Sequence, residues 1–243
     1  MKLTMNVHLF IPCFVDQLYP DTAFNMVKVL EKLGCRVHYN PDQTCCGQPA
    51  FNAGYWDEAK SVGQKFLKDF HTYDYIVTPS ASCAGYVRNY YGKLFDNSAV
   101  HNDVKLLRKN LFEFTEFLTD ILKTTDVGAT LNGVCTYHDS CAGLRECGIK
   151  TGPRQLLEKV KGLELREMDQ VETCCGFGGT FAVKYEPISI GMADQKVGNA
   201  LDTGAEYLIS TDVSCLMHLE GYIKKKGINL KTMHIADVLA SGW

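Results

Sequence analysis

A single, double, single arrangement of cysteines occurs twice in this 243-residue chain and limits it to a fold that can be built twice over. Cys13, the adjacent pair Cys45-Cys46 and Cys83 are separated by 31 and 36 residues. Cys141, the pair Cys174-Cys175 and Cys215 are separated by 32 and 39. The flanks repeat too: Thr44-Cys45-Cys46-Gly47 matches Thr173-Cys174-Cys175-Gly176, and Tyr75-Ile76-Val77-Thr78 ahead of Cys83 parallels Tyr207-Leu208-Ile209-Ser210 ahead of Cys215. Self-similarity on this scale marks an internal duplication.

Inside each half, short β-branched or aromatic runs alternate with helical patterns, the signature of βαβ units and a parallel sheet. Strands are predicted near residues 6–11, 36–39 and 75–78, and near 134–137, 163–166 and 207–210. Helices are predicted over roughly 21–33, where Ala23, Met26, Val27, Leu30 and Leu33 form an apolar stripe, and over 55–71, with Ala59, Val62, Phe66 and Phe70 on one face. The expected fold class is α/β: two duplicated Rossmann-like βαβ lobes with parallel sheets, one over 1–91 and one over 134–243. A helical connector over 92–133 joins them, with no counterpart in the duplication. Val104, Leu107, Leu111, Phe114, Leu118 and Ile121 predict one long amphipathic helix there. Each key cysteine falls just after a strand, at the sheet edge where α/β proteins bind ligands and helix N-termini favour thiolates.

Eleven cysteines make metal or redox work the expectation in a reducing compartment. Met1–Pro12 contains a short apolar run, but polar Asn6 and His8 alternate within it and no small-residue cleavage site follows. It reads as the first strand of a cytoplasmic protein. No stretch of about 18 apolar residues is present to span a bilayer. A formal net charge of −3, with Lys and Arg scattered among Asp and Glu, offers no basic stripe to a nucleic acid.

Adjacent cysteines suit ordinary disulfides poorly, because those need separated Cα atoms. Zinc sites usually show close Cys-x-x-Cys pairs, whereas these gaps are long. Four thiolates per half is the number an iron–sulfur cluster generally takes. The expected cofactor is therefore an iron–sulfur cluster of the [4Fe-4S] type, up to one per half, held by Cys13, Cys45, Cys46 and Cys83 and by Cys141, Cys174, Cys175 and Cys215. Zinc and thiol redox chemistry remain the alternatives. Gly47 and Gly176 follow the cysteine pairs and bring backbone close to the bound group, in a context that does not match a nucleotide loop. Cys35 and Cys135 read as small core residues, and Cys147 as packing rather than a spare ligand. His138 either meets a cluster sulfur or is satisfied by backbone. Tyr86 and His218 each lie three residues after the last cysteine of a set, one helical turn on, and face the same way.

Leu30-Glu31-Lys32-Leu33-Gly34-Cys35-Arg36-Val37, Cys45-Cys46-Gly47-Gln48-Pro49-Ala50, Cys174-Cys175-Gly176-Phe177-Gly178-Gly179-Thr180-Phe181 and Met233-His234-Ile235-Ala236-Asp237-Val238-Leu239 carry a resemblance over nearly the whole chain. The sequence resembles the cysteine-rich (Cys-Cys-Gly domain) iron–sulfur proteins, which include the cysteine-rich component of heterodisulfide reductase and the iron–sulfur component of glycolate oxidase. The resemblance implies an oxidoreductase subunit, inactive alone, in a cytoplasmic complex that oxidises L-lactate to pyruvate. Its partners would be a second iron–sulfur protein and a third protein. The eight repeated cysteines carry over. In the heterodisulfide reductase relatives the last cysteine of each motif belongs to Cys-x-x-Cys and five cysteines hold a non-cubane cluster; here Tyr86 and His218 stand in that place, so a five-thiolate site does not carry over. The chain has no flavin or nicotinamide fingerprint. The rival reading is a zinc-stabilised scaffold or binding module.

Overall fold

The computed structural model describes residues 5–72, 74–96 and 99–243. Met1–Thr4, at the head of the segment read as the first strand, lie outside them, as do Tyr73, Asn97 and Ser98. The described residues contain two four-stranded sheets of one design. β1 (Asn6–Leu9), β2 (Arg36–Tyr39), β3 (Tyr75–Thr78) and β4 (Leu111–Glu113) lie in the order β2-β1-β3-β4. β5 (Thr130–Tyr137), β6 (Lys161–Leu165), β7 (Tyr207–Ser210) and β8 (Lys231–His234) lie in the order β6-β5-β7-β8. Every pairing is parallel. The last three residues of β3 and of β7 are buried in succession, because helices cover both faces of a parallel sheet.

The segment between the two cysteine sets does more than connect them. It forms the helix His101–Asn110, then β4, then Phe114–Glu116 and the π-helical turn Phe117–Ile121. The single long helix expected there is broken at Leu111, whose backbone is extended at φ −91° and ψ 124°, and restarts where Glu113 caps Phe114–Glu116 in a capping box with Glu116. β4 completes the first sheet as β8 completes the second. Glu113 and His234, at the ends of these strands, both cap the following helix with their side chains. The duplication therefore runs on through residues whose sequence shows no counterpart. The helical spacing still places the right residues inward: Val104 and Leu107 join the outer core of the first lobe, and Phe114, Phe117 and Leu118 join a core shared by both.

That shared core contains Val7, Met26 and Phe117 from the first half and Tyr137, Leu156, Ile235 and Val238 from the second. The lobes dock reciprocally. Pro20–Lys32 packs on Ile235–Leu239, and its counterpart Thr151–Leu157 packs on Phe114–Glu116. Thr22 Oγ1 and Asn25 Nδ2 both donate to the Asp237 carboxylate at 2.9 Å. On the dyad, Ser80 and Asp212 form an antiparallel bridge, and Ser82 N donates to Asp212 Oδ2 at 2.8 Å. Each stands three residues before the last cysteine of its set, so equivalent segments meet each other, as in an isologous interface.

Candidate metal centres

In each lobe the topology reverses between the two middle strands, and the crevice at such a switch point is where α/β sheets bind ligands. Cys13 follows β1 and Cys83 follows β3; Cys141 follows β5 and Cys215 follows β7. All four sit in the first turn of a helix. Ser80 caps the helix of Cys83 through the Cys83 N–H, and Ser140 caps the helix of Cys141 through the Gly143 N–H. The Cys-Cys pairs come from loops after β2 and β6 that fold over the crevices.

The structure gathers all eight repeated cysteines into two sets of four. In the first, Cys13 and Cys46 hydrogen-bond Cys45, and Cys46 also meets Cys83. In the second, Cys141 and Cys175 hydrogen-bond Cys174, and Cys175 also meets Cys215. The electrostatics repeat accordingly. The hydrogen bond from Cys13, then that from Cys46, draws the Cys45 thiol down to about 3. Cys141 and Cys175 draw Cys174 down to about 2. The donors Cys13, Cys46, Cys141 and Cys175 are pushed up, first by those same bonds and then by burial. For Cys215 the bond with Cys175 pulls down, burial pushes up, and the net is upward. Each set is a soft all-sulfur donor group, which suits iron–sulfur clusters or zinc. The first set is the more open: Cys13 is exposed, whereas Cys215 is buried.

The glycine of each Cys-Cys-Gly element has a steric reason. Gly47 and Gly176 have φ of +94° and +96°, a left-handed turn that aims their N–H groups back at the first cysteine of the pair. Gly47 N lies 3.3 Å from Cys45 Sγ, and Gly176 N 3.4 Å from Cys174 Sγ. A Cβ on Gly47 would stand 3.1 Å from the Ala59 carbonyl oxygen, and one on Gly176 only 2.6 Å from that of Ser189.

Those carbonyls align the next helices of the two lobes, and seven residues further on Phe66 and Lys196 occupy equivalent places. Phe66 packs edge to face on Phe10, with ring centroids 4.7 Å apart. The counterpart of Phe10 is His138, since Phe10 N bonds the Val77 carbonyl and His138 N that of Ile209, in matching strands. An apolar pair in the first lobe is thus replaced in the second by two buried basic side chains. Lys196 is 1% exposed and donates to the carbonyls of Gln170 and Val171 at 2.8 and 3.1 Å; burial pulls it down to about 8. His138 is fully buried, and neither ring nitrogen has a hydrogen-bond partner, so its ring is not satisfied by backbone. Burial, then the charge of Lys196, lowers it to about 3.

Tyr86 is buried against the first set, its hydroxyl without a partner and its pKa pushed up by burial and then by Cys46. His218 is engaged instead: its Nε2 lies 3.2 Å from Ser189 Oγ, which donates to the Gly176 carbonyl at 2.8 Å, so it braces the Cys-Cys-Gly turn. Cys35 and Cys135 lie in the shared core, and Cys147 Sγ donates to the Ala81 carbonyl at 3.4 Å across the lobes. None of these three joins either sulfur set. The two sets border one interface: Phe14, beside Cys13, meets Phe177, beside Gly176, edge to face at 5.8 Å. The residues fit iron–sulfur groups, because each site offers four soft donors and a buried polar group that lacks a partner, Tyr86 or His138.

Residues 7–88 and 135–220 each match the cysteine-rich domain known as CCG. The chain belongs to the CCG cysteine-rich domain family. It is 45% identical over 235 residues to lactate utilization protein A of Geobacillus kaustophilus strain HTA426, covering 97% of this chain and 98% of that one. It is 44% identical over 237 residues to lactate utilization protein A of Bacillus cereus strain G9842, covering 98% and 99%. Among solved structures it is similar to a hypothetical protein from Helicobacter pylori, with a TM-score of 0.62 at 13% identity. That likeness spans 98% of this chain but 49% of the other, and concerns the fold alone.

Sequence reasoning about this CCG protein overlooks Lys196. The signal is present: Met192, Ala193, Val197 and Ala200 form an apolar stripe at helical spacing, and Lys196 interrupts it. A lysine in the middle of a stripe that must be buried needs a partner or a purpose.

Proposed function

We propose that the chain carries electrons through an iron–sulfur cluster in each lobe, as one subunit of a cytoplasmic system that oxidises L-lactate to pyruvate. The observation that carries this reading is the pair of four-thiol sets, each with its own Cys-Cys-Gly turn at a sheet switch point. The names of its full-length relatives supply the metabolic setting. Cys13, Cys45, Cys46 and Cys83 would hold one cluster and Cys141, Cys174, Cys175 and Cys215 the other. Such clusters supply reversible one-electron transfer.

Oxidation of lactate to pyruvate releases two electrons and two protons, which matches two one-electron carriers. The carbon chemistry is assigned to a partner protein with its own redox cofactor. The chain's own residues then hold the thiolates, exclude water from the inner cysteines and bring the two sites to one interface through Phe14 and Phe177. Among the described residues no helix is long and apolar enough to cross a membrane.

Iron, acid-labile sulfide and zinc measured on anaerobically purified protein test the proposal. It expects roughly four irons and four sulfides per lobe, with visible absorbance that bleaches on reduction. Stoichiometric zinc without sulfide would overturn it in favour of a zinc-stabilised module.

A further inference from the structure

The second site contains a donor that the first does not. His138, Cys175 and Cys215 offer one ligand atom each, all within 4.8 Å of one another, and all three residues are buried. We propose that His138 is a nitrogen ligand to iron in the second-lobe site, beside Cys175 and Cys215, taking the place of one of the site's other two thiolates, Cys141 or Cys174. This rests on the iron–sulfur reading above and deepens it for one of the two sites.

Three observations support the assignment. First, a neutral imidazole carries one N–H donor and one lone pair, and both ring nitrogens of His138 are buried without a partner. Buried polar groups are almost always satisfied, so two orphaned nitrogens on one side chain beside two sulfurs mark a missing binding partner. Second, the position does not require a polar residue for folding: its counterpart Phe10 holds the same backbone place with an apolar ring against Phe66 and Phe70. Third, the loop that carries His138 is pinned. Arg154 donates Nη1 and Nη2 to the two oxygens of Asp139, both at 2.9 Å, and Ser210 Oγ donates to the His138 carbonyl at 3.0 Å. A ring whose backbone is held on both sides is presented at a fixed place. Imidazole and thiolate are both established ligands of cluster iron, and exchanging a charged thiolate for a neutral imidazole raises the potential.

The competing histidine is His218, which reaches the same site from the helix of Cys215 and is already bonded to Ser189. Isotope labelling combined with substitution separates the two. Protein grown with 15N-histidine or with natural histidine is loaded anaerobically and reduced, and nitrogen coupling to the cluster spin is read by pulsed electron paramagnetic resonance. The expected result is a strong histidine coupling that changes with the label, persists in His218→Ala and disappears in His138→Phe, which copies the first lobe. His138→Cys should keep the second site loaded and lower its potential. A second-lobe cluster with no strongly coupled histidine nitrogen, or one whose coupling survives in His138→Phe, overturns the assignment and leaves the iron–sulfur reading standing. Protein that takes up zinc, or no iron and sulfide, overturns both.

Discussion

Phe10 and His138 donate the same backbone hydrogen bond in their two lobes, to the carbonyls of Val77 and Ile209 at 3.0 and 2.8 Å, and yet one carries an apolar ring and the other an imidazole. The duplication has kept the backbone and the eight cysteines while the surroundings of the sulfur sets have diverged. Phe10 and Phe66 make the first site's inner wall apolar; His138 and Lys196 make the second site's wall polar, with Lys196 as its cation. Clusters held in the two sites, as proposed, would thereby differ in potential.

Separate ligand sets predict separate losses. Cys45→Ser or Cys174→Ser should each leave about half the iron and sulfide of the parent, because each set draws its four sulfurs from one lobe. Metal analysis with circular dichroism on each variant checks this. A folded variant emptied of all its iron would point to one shared site.

The two turn glycines should not tolerate alanine equally. Forcing an alanine into the left-handed region costs about 1–3 kcal/mol at either position. Gly176→Ala adds a contact at 2.6 Å with the Ser189 carbonyl, whereas Gly47→Ala meets Ala59 at 3.1 Å. Denaturant unfolding of the two variants should therefore show the greater loss for Gly176→Ala. Equal losses would mean that the helix beneath Gly176 shifts freely.

Lys196 places a cation in the wall of the second site, and positive charge favours the more negative, reduced state of a nearby redox group. Lys196→Met should make the potential of the second-lobe cluster more negative and leave the first-lobe potential unchanged in an anaerobic redox titration. It should also destabilise the fold by about 1–3 kcal/mol, since the carbonyls of Gln170 and Val171 lose their donor. An unmoved potential would reduce Lys196 to a structural strut.

Glu113 is fully buried where β4 ends, and burial raises it from an ordinary value of 4.5 to about 8, against hydrogen bonds from Thr115 and Glu116 that lower it. A folded state that holds its proton more tightly than the unfolded chain is stabilised at low pH. That contribution is complete below about 4.5 and is lost as pH rises through about 8. Glu113→Gln keeps an acceptor for the Thr115 and Glu116 N–H groups and cannot ionise. Urea unfolding at pH 5 and pH 8 should show the parent losing stability over this range and Glu113→Gln losing less. Parallel pH curves would refute the assignment.

The repeated cysteine spacing determined, without any structure, that the chain is a duplication and that four cysteines of each half belong together, and the alternation of strand-like and helix-like runs determined that each half is built of βαβ units on a parallel sheet. Those features are legible because they are periodic or local: strand and helix patterns recur every few residues, and a Cys-Cys-Gly turn is three residues long. β1, β2, β3 and β7 consequently fall where the pattern places them. β4 and β8 did not announce themselves, because edge strands of three and four residues take their identity from the strand that pairs with them. Tertiary structure alone decided that the segment around Leu111 is a strand, that both lobes share one core, and that His138 and Lys196 replace Phe10 and Phe66. The register between the halves slips by a residue or more from one helix to the next, so these equivalences become visible only when backbone hydrogen bonds and close carbonyl contacts bring counterpart residues to the same place. The polar wall of the second site is a property of that superposition, made by residues 58 positions apart in the chain that the fold brings to one crevice.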